Sequence, residues 1–227
     1  PPLAAVAPAV ADMLPVTLSA PAACAKFAGR VLRGLDPEAR TPPWMQERLR
    51  RAGLRSLGPM VDVTNYVMIE LGQPMHAYDL RRLQGGIDVR LARRGERLGL
   101  LDGSEIALAG DELVIADVLG PVALAGIMGG DRSGIAPDTT DVLLESAWFA
   151  PEAIQGRGRR HGIVTDASQR FERGVDAAGQ ERAIERATEL LLAIAGGSAG
   201  PTAVVAASAH LPARAPIPLT AAYLARL

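Results

Sequence analysis

An α+β domain is what this sequence predicts, on three observations. Apolar residues recur at helical spacing before residue 72 and again after residue 177, short apolar runs cluster between residues 87 and 144, and the runs do not alternate with crossover helices as a doubly wound sheet requires. The 227 residues, 48% hydrophobic, suffice for one large domain or two small ones with a packed core.

In chain order, residues 1–11 are rich in Ala and Pro without a sustained period and read as a linker. Thr41-Pro42-Pro43 supplies an N-cap and a first-turn proline, Met45, Leu49 and Ala52 share a face, and Gly53 stops that helix. A second helix is expected over residues 63–71, closed by Gly72. Ile87, Val89 and Leu91 alternate as a strand, Asp102-Gly103 signals a hairpin turn, and residues 113–115 and 142–144 read as buried strands. Pro151 opens a helix, and residues 157–176 read as a polar loop. Ala183, Ala187, Leu190, Leu191 and Ile194 then place a helix over 177–195 that ends at Gly196-Gly197. A second proline-rich linker follows at 206–218. The expected division is a linker at 1–13, a folded body at 14–205, and a linker with the start of a following domain over 206–227.

Composition removes several function classes. The chain opens at Pro1 with no basic n-region or apolar h-region, so it reads as an excised piece and not as a secretory precursor. No window approaches the ~18 consecutive apolar residues of a membrane span, and a soluble, cytoplasmic protein without membrane contact is expected. A lone Cys24 suits a reducing compartment. Three scattered histidines and one cysteine offer no metal-ligand spacing. The net charge of −1, with Lys26 the only lysine, argues against binding RNA chiefly through its phosphates.

Three clusters carry possible chemistry. The first joins Arg55-Ser56, residues 61–66 and the proline-bounded turn 72–79, where His76 is held with little conformational freedom. A packed histidine and a surface arginine are the bland alternatives. The second is the glycine run 126–134, whose backbone can approach a ligand or present N–H groups, although it matches no phosphate-loop pattern. It precedes Glu145, a carboxylate in an apolar strand that must either face outward or receive specific hydrogen bonds. The third, residues 157–176, sets Arg157, Arg159, Arg160 and His161 against Asp166, Glu172 and Asp176, for RNA phosphates or for internal ion pairs.

These clusters, in this order, resemble the B3/B4 region of bacterial phenylalanyl-tRNA synthetase beta chains. The resemblance rests on Arg-Ser, Val-Asp-Val-Thr-Asn-Tyr-Val, Gly-Gln-Pro-Met-His-Ala-Tyr-Asp, Leu-Leu-Asp-Gly, Gly-Ile-Met-Gly-Gly, Leu-Leu-Glu, Arg-Arg-His-Gly, Thr-Asp-Ala-Ser and Arg-Phe-Glu-Arg-Gly-Val-Asp, and covers roughly residues 14–205. It implies a three-layer arrangement of two sheets and helices, with the tail from Pro216 starting a following domain. It also implies a pocket that hydrolyses tyrosine wrongly attached to tRNA(Phe). Catalytic positions then fall on His76, Gly126 and Gly129, and substrate-binding positions on Arg55, Asn65, Glu145, Thr165 and Ala167, with Glu145 meeting the tyrosine hydroxyl. Implied partners are mischarged tRNA(Phe), the alpha subunit and the rest of the beta subunit. ATP and Mg are expected only for the full synthetase, with no cofactor in this chain. A tRNA-positioning scaffold without turnover is the alternative, and a small-nucleotide site on the glycine run is more remote.

Overall fold

The computed structural model describes residues 5–213 and 215–226. Its elements, in order, are β1 (Val16–Leu18), β2 (Cys24–Arg33), α1 (Pro43–Arg51), α2 (Pro59–Leu71), β3 (His76–Asp79), β4 (Ile87–Leu91), β5 (Arg97–Gly99), β6 (Glu105–Ala107) and β7 (Leu113–Asp117). There follow β8 (Gly120–Leu124), β9 (Met128–Gly129), β10 (Val142–Phe149), α3 (Pro151–Ile154), α4 (Arg157–Arg160), α5 (Asp166–Arg173), α6 (Gln180–Ala195), β11 (Ser198–Ala206) and α7 (Ala221–Leu224).

Three layers result. A four-stranded antiparallel sheet in the order β11-β2-β10-β3 lies in the middle, and a five-stranded sheet, β1-β4-β7-β8-β9, covers one of its faces. Helices α2 and α6 pack together and α6 covers the other face. Each side of the central sheet therefore has its own core. Phe27, Val31, Tyr78, Leu143 and Ala147 join Val89, Val114 and Ile115 between the sheets, while Ala28, Leu32, Val142 and Leu144 meet Val63, Val67, Ile184 and Leu191 of the helices. The period-2 alternation of a strand sorts neighbouring residues into these two cores, so β10 has no solvent face and all eight of its residues are buried.

Several local expectations change. Thr41 does not cap α1; its hydroxyl donates to buried Asp62 at 2.5 Å, which also accepts from the Ser56 hydroxyl and the Leu57 N–H. That network starts α2 at Pro59, four residues before the expected Val63. Gly72 ends it at φ +72°, a left-handed cap only glycine adopts without strain. The expected loop 157–176 contains α4 and α5, and α6 begins at Gln180 and not at Ala177. The turn expected after α2 continues directly into β3, and β2 and β11 form where no strand is expected. Part of the expected N-terminal linker is tied to the body, because the Ala9 and Val10 N–H groups donate to the Ala199 carbonyl and the Val6 N–H to Glu185. No helix among the described residues is long and apolar enough to cross a membrane.

Arg30, 1% exposed on β2, closes this seam. Its guanidinium donates to the Gly200 carbonyl at 2.7 Å, the Val6 carbonyl at 2.6 Å and Glu185 at 3.0 Å. Arg30→Ala removes all three bonds and leaves Glu185 without its cation, and a loss of about 3 kcal/mol is expected in urea unfolding. An unchanged midpoint and slope would show the seam to be dispensable.

Candidate functional site

The central sheet builds the site from adjacent strands. In the β3–β10 register Glu145 lies directly opposite His76 and Leu143 opposite Tyr78. Residues 143, 145 and 147 of β10 and residues 76 and 78 of β3 share the face turned toward the second sheet, so both polar side chains enter the layer between the sheets. Glu145 is thus inward, which settles the alternatives its strand left open. Its Oε2 accepts a hydrogen bond from the Tyr78 hydroxyl. Burial pushes its carboxyl up to about 7, and the Tyr78 hydrogen bond pulls the other way by favouring the carboxylate.

His76 stands edge-on to the Tyr78 ring, with centroids 4.4 Å apart. Burial pushes its imidazole down to about 4, so it is neutral at pH 7. Its Nε2 is buried and has no hydrogen-bond partner among the described residues.

Gly126 and Gly129 form the opposing wall through the tight connection from β8 to β9. Gly126 has φ +68°, and a Cβ there would lie 2.9 Å from Phe171 and 3.0 Å from Phe149. At Gly129 a Cβ would come within 2.6 Å of His76 Nε2, so this glycine makes room for the imidazole. Among the described residues the Gly126 N–H has no hydrogen-bond partner.

Thr165 works from behind this wall. Its hydroxyl donates to the Ile127 carbonyl at 2.9 Å and accepts from the Ser168 N–H at 3.0 Å, while the Ser168 hydroxyl accepts from the Thr165 N–H. This reciprocal cap anchors the start of α5 to the glycine turn and brings Ala167 into the lining. Thr165→Val removes both bonds, and a melting scan is expected to show a loss of about 1–2 kcal/mol; no loss would mean that the cap does not hold the wall.

The structure therefore gathers His76, Gly126, Gly129, Glu145 and Ala167 around one cavity of about 70 Å³, which Tyr78, Met75, Met128 and Phe171 also line. His76 borders in addition a cleft of about 600 Å³, where Asn65 lies with the start of α2 and residues 135–137. Asn65 meets the site only through that cleft. Arg55 lines neither space; it is exposed on the loop before α2 and makes no ion pair among the described residues. The arginines of the third cluster are held internally, Arg157 and Arg160 on Asp111 and Arg159 on Glu172, and His161 meets Glu112 at 2.7 Å. Sequence reasoning passed over Tyr78 as a site residue, although its spacing of two from His76 places both on one strand face.

Comparisons with known proteins agree with this architecture. A profile of the B3/4 domain matches residues 23–196. The chain is 55% identical over 227 residues to "Phenylalanine--tRNA ligase beta subunit" of Yersinia pestis, covering 100% of this chain and 29% of that protein. It is 60% identical over 206 residues to the protein of the same name from Methylococcus capsulatus, covering 91% and 26%. The chain thus spans less than a third of the length of these relatives. Among solved structures, an N-terminal fragment of the phenylalanyl-tRNA synthetase beta-subunit from Pyrococcus horikoshii matches with a TM-score of 0.54 at 13% identity, covering 84% of this chain and 52% of that one. At that identity the likeness speaks to the fold.

Proposed function

This chain belongs to the B3/4 domain family, and from that premise we propose that it is the editing domain of a phenylalanine–tRNA ligase beta subunit, hydrolysing tyrosine mischarged on tRNA(Phe). The observation that carries the reading is a buried carboxylate, Glu145, set opposite an unpartnered neutral His76 in one glycine-walled cavity.

The need for such a site is physical. A pocket shaped for phenylalanine rejects an analogue that only adds a hydroxyl by roughly 100-fold, so a second site must invert the preference. Here the tyrosine hydroxyl donates to Glu145, whereas phenylalanine leaves a desolvated carboxylate short of a partner, at a cost of about 1–3 kcal/mol. The scissile ester then sits beside His76, with the end of the tRNA in the 600 Å³ cleft past Asn65. Water attacks the ester carbonyl, the Gly126 N–H, unpartnered among the described residues, steadies the developing oxyanion, and neutral His76 Nε2 orients the water or the terminal ribose. Tyrosine and uncharged tRNA leave. No side chain serves as nucleophile and the chain itself requires no cofactor; ATP and Mg belong to aminoacylation by the complete synthetase. In this reading the chain works in the cytoplasm beside the alpha subunit and the rest of the beta subunit.

One observation favours a tRNA-positioning role without turnover. The 70 Å³ cavity is about half the ~150 Å³ that accepts a benzene ring, so an aromatic side chain enters only if Met75 and Met128, unbranched and half-buried, move aside. The deciding experiment follows loss of amino acid from tyrosyl-tRNA(Phe) and phenylalanyl-tRNA(Phe) with this chain, alone and together with the remaining synthetase subunits. Faster release of tyrosine supports editing. Release of neither amino acid with all subunits present leaves the positioning role.

A further inference from the structure

We propose that Tyr78 is a positioning residue for Glu145: its hydroxyl occupies Oε2 and so keeps the other carboxylate oxygen presented to the cavity as the acceptor for a phenolic hydroxyl. The inference rests on the reading of the cavity as a tyrosine-selecting site.

The geometry is specific. Tyr78 is fully buried on β3, its ring fixed edge-on against His76, and its hydroxyl donates to Glu145. In the antiparallel register Glu145 faces His76, so Tyr78 reaches it across the diagonal, a spacing that long aromatic side chains span. The Glu145 carboxylate accepts no other hydrogen bond among the described residues. The terminal torsion of a glutamate is broad, and without Tyr78 either oxygen can turn toward either direction. The resident tyrosine thus does to one oxygen what a substrate tyrosine does to the other.

Few groups could substitute for it. The titratable side chains facing Glu145 are His76 and Tyr78 from β3 and Cys24 from β2, whose thiol burial keeps protonated. The glycine turn and the Ala167 and Phe171 lining of α5 contribute none. Tyr78 donates to the charged form of Glu145 and so favours it; removing the hydroxyl keeps the proton on the carboxyl to higher pH.

The test follows the Glu145 carboxyl in the full chain by carbon NMR with labelled glutamate, the signal being assigned by its absence in Glu145→Gln. The tyrosine-over-phenylalanine release ratio is measured against pH in parallel, with the remaining synthetase subunits present. In Tyr78→Phe the titration midpoint is expected to rise by about one pH unit, a tenfold change in acidity, and the tyrosine preference to fall at neutral pH and return at higher pH. An unmoved midpoint in the folded variant overturns the proposal, as does an equal loss of rate at every pH, which is the signature of a purely structural tyrosine. Should Tyr78→Phe not fold, biosynthetic difluorotyrosine, with a more acidic and stronger donor, is expected to move the midpoint down, and no movement overturns the proposal equally. If the midpoint moves while the native protein releases neither amino acid, the editing reading falls and the Tyr78–Glu145 coupling stands.

Discussion

Glu145→Ala is expected to reduce the tyrosine-over-phenylalanine release ratio by about 5- to 150-fold, the equivalent of the ~1–3 kcal/mol that an unpaired buried polar group costs. The loss has a direction. Phenylalanine no longer faces a desolvated carboxylate and gains, while tyrosine loses its acceptor. Because Ala also strands the buried Tyr78 hydroxyl, Glu145→Gln is the companion variant, retaining an oxygen for Tyr78 without a charge. The charged acceptor forms as pH rises through about 7, so the native ratio should climb across neutrality and the Gln ratio should stay flat. Stability carries the opposite slope. With a folded value of about 7 against the ordinary 4.5, the folded chain retains a proton that the unfolded chain has released, so this group costs stability as pH rises through that window. Glu145→Gln should remove that slope in denaturant titrations at several pH values. Should the release ratio be the same with Glu, Gln and Ala at every pH, Glu145 is not the selector.

Gly129→Ala is expected to abolish hydrolysis at least about 100-fold, the scale on which a misplacement of 1 Å acts on a reacting geometry. Gly129 is not among the glycines with positive φ, so backbone strain is not the reason. The reason is space: the added methyl would meet His76 at 2.6 Å from Nε2 and Leu101 at 2.9 Å, so the imidazole must leave its place between Gly129 and the Tyr78 ring. Overpacking of this kind also costs about 1–3 kcal/mol of stability. Initial rates on tyrosyl-tRNA(Phe), read beside thermal unfolding, separate the two effects. A folded Gly129→Ala protein with native rates would remove His76 from the reaction.

Much of the helical frame was legible in the residues themselves. Met45 and Leu49, and the run from Ala183 to Leu191, carry the 3.6-residue period of helices with one buried stripe, and α1 and α6 bury those residues. The alternation at 87–91 and the apolar runs at 113–115 and 142–144 likewise became β4, β7 and β10. Motif order was enough to suggest the family, because several long collinear patterns seldom coincide by chance. The central strand β2 was not legible, for a physical reason. Lys26 and Arg30 interrupt its apolar run, and Arg30 is tolerable in the core only because Val6, Glu185 and Gly200, far apart in sequence, surround its guanidinium. The capping box that starts α5 was masked in the same way by the density of charge around Thr165 and Ser168.

The site divides along the same line. Residue type and spacing determined that His76, the glycines and Glu145 are candidates. Whether Glu145 faces water or the interior was decided only by the layers, because α6 covers one face of β10 and a second sheet the other, leaving no solvent side for alternation to select. The identity of its partner was decided by the register of β3 against β10, an antiparallel pairing of segments some 70 residues apart that no local pattern encodes.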